Sequence, residues 1–247
     1  MTVLPEGERC EREQGNGNVG RPSGSSAAPL APFDIEHFPV VLFDFDGTLA
    51  DTGPAVMRTA RAVLRSYNIE PAEGDLRKML GPPLTTGFRD VFGLSEAEAE
   101  ACTAEYRARF AREVKPCDFP PLPGVPELLR ALRAQGRRLA VATSRKHESA
   151  SEMIDSLGWT LLFDAIMGMH EPERMTKSDS IRAALLALNA RPEEAVMVGD
   201  RFHDVEGAHE VGVACIGVYT GAALPGEHDA AEASCSSMVE VAKLLGL

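Results

Sequence analysis

The sequence predicts an α/β fold in which helices cover both faces of a parallel sheet, with a small helical block inserted after the first strand. Three short apolar runs, at 40–43, 139–142 and 195–198, end in polar residues, which is typical of strands buried in a parallel sheet. From about residue 125 onward, helical patterns alternate with such runs, as they do in βαβ units. Residues 54 to about 115 are helical in pattern and contain no buried-strand run.

The inserted block, which we place at 56–122, is predicted to be a small helical bundle. Its first apolar stripe keeps a helical spacing and ends near Asn68. Ser95, followed three residues later by Glu98, is the capping-box pattern that begins a second helix. A proline-rich segment at 120–124 then forms a stiff return to the sheet.

The predicted α/β core comprises residues 34–55 and 123–247. Within its second part, Thr176 and Asp179 form another capping box, which begins the helix that contains Lys177. The other predicted elements are a helix ending at Gly136, a strand ending at Thr143, a helix over about 147–157, a short apolar segment at 163–167, a strand ending at Gly199, a helix over about 203–211, a strand at 213–218 and a final helix near 237–245.

Residues 1–33 are rich in Gly, Ser, Pro, Glu and Arg and show no apolar periodicity. Such a segment buries too little apolar surface to offset the entropy that it loses on ordering. We therefore predict a disordered tail. A docking or regulatory arm is the alternative.

Composition and charge exclude several classes of function. The chain has 247 residues and a formal net charge of −12, which argues against nucleic acid or an anionic membrane as a partner. Its five cysteines are scattered and contain no Cys-x-x-Cys pair, as expected for reduced thiols in the cytoplasm. No apolar run is long enough to cross a membrane. We expect a cytoplasmic protein, either a monomer or a weak homodimer.

Two carboxylates, Asp44 and Asp46, follow the first strand directly. Because side chains alternate along a strand, both project to the same side. Two like charges this close need a cation or a shared proton, and oxygen ligands favour Mg²⁺. Asp200 and Asp204 follow the third apolar run, and open α/β sheets bind ligands at the carboxyl ends of their strands. Lys177, beside the positive end of a helix, is well placed to bind an anion.

Four motifs in this order resemble those of the haloacid dehalogenase-like phosphohydrolases. They are Asp-x-Asp-Gly-Thr at 44–48, a threonine (Thr143) after the second strand, the lysine Lys177, and Gly-Asp-x-x-x-Asp at 199–204. The resemblance covers nearly everything from about residue 38 onward. It implies a Rossmann-like core, with a helical cap inserted after the first motif.

The resemblance also implies a Mg²⁺-dependent phosphatase that acts on a small-molecule phosphate ester. In that mechanism Asp44 is the nucleophile that forms an aspartyl-phosphate, and Asp46 is the acid and then the base. Mg²⁺ is held by the Asp44 carboxylate, the Asp46 backbone carbonyl and Asp200. The phosphate is bound by Thr143, Ser144 and Lys177. Asp204 has two interpretations: it orients a metal-bound water or Lys177, or it caps the next helix.

The cap contains a predicted bend at 81–84, made of Gly81, Pro82, Pro83 and Leu84. In caps of this family such a loop approaches the active site and selects the substrate; the alternative is a mere turn between helices. Arg77, Lys78 and Arg89 flank the bend and are expected to add positive potential. Together with Gly-Asp-Arg at 199–201, the bend is most similar to the phosphoglycolate phosphatase and 5′-nucleotidase-like branch.

Some alternatives stay open at this point. Arg145 and Lys146 follow the phosphate-binding segment and suit either contact with an anion or a solvated helix start. A β-phosphoglucomutase-like phosphomutase shares all four motifs, and only the cap distinguishes it. A haloacid dehalogenase proper lacks the second carboxylate, which is present here as Asp46. A catalytically silent regulatory relative would require the loss of a motif residue, and none is missing.

Overall fold

The structure is a computed structural model that describes residues 38–247. The predicted tail at 1–33 and the first core residues, 34–37, lie outside the described residues. The elements in chain order are β1 (Val40–Phe43), α1 (Gly53–Ser66), α2 (Glu73–Lys78), α3 (Leu84–Phe92), α4 (Glu96–Glu113), α5 (Val125–Ala134), β2 (Arg138–Lys146), α6 (His147–Ser156), β3 (Ala165–Met169), α7 (Lys177–Ala187), β4 (Ala195–Gly199), α8 (Phe202–His209), β5 (Ala214–Val218), β6 (Ala233–Cys235) and α9 (Met238–Leu244).

The strands form one sheet in the order β3-β2-β1-β4-β5-β6, and every neighbouring pair is parallel. β1 lies in the middle, and all its residues are buried. One face of the central strands packs against Ile181, Ala184 and Leu185 of α7 and Ala208 of α8. The predicted α/β fold is thus confirmed. Because parallel strands end at a common edge, the segments that follow β1, β2 and β4 converge there.

The structure contains two pieces of strand that the sequence did not predict, the last residues of β2 and the edge strand β6. β2 continues three residues past Thr143, and Lys146 pairs with Met169 beyond an irregularity in the β2–β3 register. β6 was not predicted, because a strand of three residues carries no clear alternation of apolar and polar positions. Both additions depend on pairing with a neighbour that is distant along the chain.

Helices α1 to α4 form the block that separates β1 from the rest of the sheet. α4 packs against α1 and α3, and it begins with the predicted capping box of Ser95 and Glu98. The two chain segments that connect the block to the sheet run side by side, since the amide of Asp51 donates to the carbonyl of Pro120 over 2.9 Å. Within residues 38–247, no helix combines the length and the apolar character needed to cross a bilayer.

Candidate active site

A cleft of about 1140 Å³ lies over the carboxyl edge of the sheet, between the sheet and the helical block. Every residue predicted for the site from the four motifs lines it, and so does the predicted cap bend. These residues are Asp44, Asp46, Thr143, Ser144, Lys177, Asp200, Asp204, Gly81, Pro82, Pro83 and Leu84. The cleft therefore brings together positions that lie up to 160 residues apart in the chain.

Lys177 joins two carboxylates in the buried floor of the cleft. Its Nζ lies 2.6 Å from Oδ1 of Asp44 and 2.6 Å from Oδ1 of Asp204, and it also donates to the carbonyl of Ala142 over 3.1 Å. Burial alone would lower the pKa of Lys177, but the charges of Asp204 and Asp44 outweigh it and raise that pKa. Lys177 is therefore a fixed positive charge.

For Asp44, unlike Lys177, burial has a larger effect on the pKa than the oppositely charged neighbour has. Burial raises its pKa to about 6, although Lys177 opposes the shift; the negative charges of Asp204 and Asp46 add to the rise. A further positive charge close to Asp44 would therefore stabilise the ionised form of its carboxyl group.

Asp204 satisfies both interpretations that the sequence left open. Its Oδ1 binds Lys177, and its Oδ2 accepts a hydrogen bond of 3.0 Å from the backbone amide of Arg201, at the start of α8. The same side chain therefore caps a helix and positions the lysine beside Asp44.

Asp200 is buried and forms no ion pair with any residue of 38–247. Its carboxylate accepts hydrogen bonds from the Thr48 hydroxyl (3.3 Å) and the Ala222 amide (3.1 Å). Burial, followed by the nearby charges of Asp204 and Asp44, raises its pKa well above the usual range. Carboxylate oxygens of Asp44, Asp200 and Asp204 all lie within 4.8 Å of one another. This oxygen-rich set, with one lysine against three buried carboxylates, fits a hard divalent cation such as Mg²⁺.

Asp46 lies on the side of the cleft that faces the cap, and its carboxylate is bound by Arg145. Arg145 Nε donates to Oδ2 over 2.9 Å and Nη2 to Oδ1 over 2.5 Å, while the Thr52 hydroxyl donates to Oδ1 over 2.6 Å. Burial would raise the pKa of Asp46, but the charge and hydrogen bonds of Arg145 lower it. The side chain of Asp46 thus stands apart from the cluster of Asp44, Asp200 and Asp204.

The sequence left two interpretations open for Arg145, contact with an anion or a solvated helix start, and it did not predict that Arg145 binds Asp46. Arg145 is only 12% exposed, so it is not at a solvated helix start. Its Cζ also lies 4.9 Å from the ring centroid of Phe110, which belongs to α4 of the helical block. The signal that was available is its position two residues after Thr143, at the edge where ligands bind.

Thr143 and Ser144 end the predicted part of β2 at the cleft. Thr143 is buried, and its Oγ1 accepts a hydrogen bond of 3.2 Å from the amide of Arg145. The hydroxyl proton of Thr143 stays available for an acceptor in the cleft. The carbonyl of Thr143 is held by the Ser180 hydroxyl over 3.2 Å, which fixes this segment against α7.

The cap side of the cleft corrects one sequence prediction. Arg77 lines the cleft with the bend, but Arg89 does not, because its guanidinium pairs with Asp90 (2.7 Å) and Glu96 (3.1 Å) on the outside of the block. We therefore remove Arg89 from the substrate-selecting set. Sequence reasoning also missed the largely apolar lining contributed by the block, which includes Met57, Met79, Tyr106, Phe110 and Phe119.

Comparison with known proteins agrees with this geometry. The family model described as haloacid dehalogenase-like hydrolase matches residues 41–218. A 5′-nucleotidase of Pseudomonas aeruginosa is 38% identical over 184 residues, which cover 74% of this chain and 83% of that protein. A predicted phosphatase of Clostridium acetobutylicum has a crystal structure that matches with a TM-score of 0.78 and 31% identity, covering 84% of this chain and 98% of that one.

A third relative has a different name. The tyrosine-protein kinase PtkA of Mycobacterium tuberculosis is 37% identical over 176 residues, and the match covers 70% of this chain but only 60% of that protein. The family model spans more than half of this chain, and the similarity to the nucleotidase covers more than two thirds of both proteins. The chain therefore belongs to the haloacid dehalogenase-like hydrolases, in their phosphatase branch.

Proposed function

We propose that this phosphatase is a Mg²⁺-dependent phosphomonoesterase that works through an aspartyl-phosphate on Asp44. One observation carries the proposal: the carboxylate of Asp44 stands at the end of the central strand, between the ammonium of Lys177 and the carboxylate of Asp200. A nucleophile in this position has one cation beside it and a set of oxygens that could hold a second. Lys177 offsets the charge of an incoming phosphoryl group, and a metal held by these oxygens would offset it further.

The metal would be held by Asp44 and Asp200 together with the backbone carbonyl of Asp46. When bound, Mg²⁺ supplies positive charge to the phosphoryl oxygens. Lys177 supplies a second positive charge, and the hydroxyls of Thr143 and Ser144 supply hydrogen-bond donors. In this arrangement Lys177 and the metal would offset the charges of Asp44, Asp200 and Asp204, so that an anionic substrate could approach the floor of the cleft.

Asp46 acts as the proton carrier in this proposal. It protonates the leaving oxygen and afterwards takes a proton from the water that hydrolyses the aspartyl-phosphate. In the structure Arg145 holds Asp46 in its ionised form, which suits the second step. The first step therefore requires the Arg145–Asp46 contact to loosen when the ester enters the cleft, so that Asp46 carries a proton there.

We further propose that the substrate is a small ester, such as a nucleoside 5′-monophosphate or phosphoglycolate. The bend at 81–84 and the apolar lining of the block cover the side of the cleft on which a leaving group would lie. The name of the 38% identical relative supports the nucleotide. A phosphomutase would use a substrate hydroxyl in place of water as the acceptor, and the products of turnover distinguish the two reactions.

The test uses purified protein with an aryl phosphate and a panel of phosphorylated metabolites. Phosphate release should require Mg²⁺ and stop in excess chelator, and Asp44→Asn should lose turnover by at least ~10³-fold, roughly 4 kcal/mol of barrier. Wild-type protein should carry label from a ³²P ester in an acid-stable form that hydroxylamine removes, and Asp44→Asn should not. Full activity in chelator, or a labelled Asp44→Asn protein, would refute the mechanism.

A further inference from the structure

The side chain of Arg201, which lies between β4 and α8, connects the cap bend to the core. This arginine directly follows Asp200, and its Nη1 donates to the carbonyl of Leu80, in the segment between α2 and α3. The next residue, Gly81, has a φ of +107°, and a Cβ there would lie 2.6 Å from Nη1 of Arg201. A glycine at this position therefore lets the bend approach the arginine closely.

Glu227 fixes the guanidinium of Arg201 in this orientation. Nε donates to one carboxylate oxygen over 2.8 Å and Nη2 to the other over 3.0 Å, and the two side chains are only 14% and 12% exposed. A bidentate pair of this kind leaves the guanidinium little freedom to rotate. We call Arg201 and Glu227 the clasp.

The loop that carries Glu227 also contacts the catalytic edge of the sheet. The Thr220 hydroxyl donates to the carbonyl of Gly47 over 2.7 Å, and the Ala222 amide donates to the carboxylate of Asp200. The ring of His228, which is buried, has its Nε2 2.9 Å from the carbonyl of Asp200. The clasp is thus anchored on the same loop that supports Asp200.

We propose that Arg201, held by Glu227, is a positioning residue that docks the cap bend over the leaving group and so determines which esters bind well. The inference rests on the proposed function, which it deepens. The chain has no regular secondary structure between Met79 and Pro83, so a contact with a fixed side chain of the core can decide the position of the bend. If the docked bend is the state that binds the leaving group, loss of the clasp lowers apparent affinity in proportion to the fraction of undocked protein.

The experiment compares Arg201→Ala, Arg201→Lys and Glu227→Gln with a matched control, Arg65→Ala. Arg65 forms the same bidentate fork with Glu70, at 2.8 Å for both bonds, on the exposed surface of the block. Two readouts are needed: kcat and KM for a nucleoside 5′-monophosphate and for 4-nitrophenyl phosphate, and hydrogen exchange of the amides at 79–88 without any substrate.

In Arg201→Ala we expect KM for the nucleotide to rise about tenfold with kcat changed less than about threefold, together with faster exchange at 79–88. The smaller aryl ester should be affected less. Arg201→Lys and Glu227→Gln should fall between wild type and Arg201→Ala, and Arg65→Ala should match wild type. If Arg201→Ala does not fold, these two conservative variants decide the question by the same readouts.

Three results would overturn the inference. The first is that all three clasp variants behave like Arg65→Ala in both readouts. The second is that they lose kcat equally on both esters without faster exchange at 79–88, since that would indicate damage to Asp200 instead. The third is faster exchange with unchanged KM for both esters, which would show that the bend is docked by the clasp but does not select substrate.

A wild-type protein without phosphatase activity refutes the proposed function, and exchange at 79–88 then still tests the docking.

Discussion

The two aspartates of the first motif are only two residues apart, yet their surroundings differ. Asp44 is bound by Lys177, and that lysine is held by Asp204 and by the carbonyl of Ala142, all within the sheet and the helices that cover it. Asp46 is bound by Arg145, whose guanidinium also packs on Phe110 of the helical block. The contacts of the Asp44 carboxylate are made by the core alone, whereas those of the Asp46 carboxylate lie at the boundary between core and cap.

This difference separates two tasks of a phosphatase. The group that attacks phosphorus needs a fixed position beside a constant positive charge, which a buried lysine with two carboxylate partners provides. The group that carries the proton must change its charge during turnover. Because Arg145 lies at the border of the cap, the change in the charge of Asp46 can depend on whether the cap is in place. We infer that the Asp44 side of the site is preformed and that the Asp46 side responds to the cap.

The largest expected effect comes from removing the cation on the preformed side. Lys177→Met keeps the length of the side chain but leaves Asp44 and Asp204 buried without their partner, so we expect a loss of about 3–5 kcal/mol in the free energy of unfolding near neutral pH. Urea unfolding measures it. Lys78→Met is the control, because Lys78 pairs with Asp75 on the surface at 66% and 40% exposure and should change stability by less than about 1 kcal/mol. Equal losses in the two variants would contradict a preformed site.

The next effect distinguishes the roles of the two carboxylates. Asp46→Asn cannot carry a proton, so we expect the first step, release of the leaving alcohol, to slow about 10²-fold for an alkyl phosphate and less than about tenfold for 4-nitrophenyl phosphate, because that leaving group needs little protonation. Single-turnover release of the leaving group at saturating Mg²⁺ measures the ratio, since it excludes the later hydrolysis of the aspartyl-phosphate, in which Asp46 would be the base for both esters. Equal losses on the two esters would show that Asp46 is not the acid.

A third prediction concerns pH and the metal. In the metal-free protein the pKa of Asp44 is raised to about 6 and that of Asp200 lies well above its usual range. A carboxyl group whose folded pKa is raised contributes stability that is fully present below its unfolded pKa and is lost as pH rises through the folded value. The metal-free protein should therefore lose this contribution as the pH passes through about 6.

In the proposed mechanism Mg²⁺ binds the ionised carboxylates, so the increase in Tm that it causes should be larger at about pH 8 than at about pH 5, on the order of 1–2 kcal/mol of additional stabilisation. Thermal unfolding with and without Mg²⁺ at both pH values checks this, since carboxylates elsewhere affect both samples alike. Asp200→Asn should remove most of the increase. An increase that does not depend on pH would mean that Mg²⁺ does not bind at this cluster.

Sequence alone predicted the fold and the motif residues that meet in the cleft, because both depend on local patterns. A buried strand followed by Asp44 or Asp200, and a capping box that begins the helix of Lys177, are visible within a few residues. Parallel strands then bring these positions to one edge without further information. Asp204 had two interpretations, to orient a metal-bound water or Lys177 or to cap the next helix. The structure shows both a contact with Lys177 and capping of α8.

The contacts that depend on long side chains were not predictable. Arg145 reaches Asp46 across 99 positions, and Arg201 reaches Leu80 across 121. The direction of such a side chain depends on which partner tertiary packing places within reach, and the sequence near each arginine does not record it. Arg89 is a further example, because ion pairs with Asp90 and Glu96 hold its guanidinium outside the cleft.

The smallest predicted effect tests whether the Asp46 side responds to the cap. Phe110→Leu removes the ring that lies under the guanidinium of Arg145 and stacks on Tyr106 at 5.6 Å. Exposed cation–π contacts contribute about 0.5–1 kcal/mol and buried ones somewhat more, so we expect alkyl phosphate turnover to fall about two- to fivefold. Phe92→Leu, at the end of α3 and outside the cleft lining, should have no effect on turnover.

Because Phe110→Leu also changes packing, a double-mutant cycle is needed. In an Arg145→Ala background, Phe110→Leu should have little further effect on turnover, since the contact is already absent. An undiminished effect there would mean that the ring acts through packing of the block, and that the cap does not influence Asp46 through Arg145.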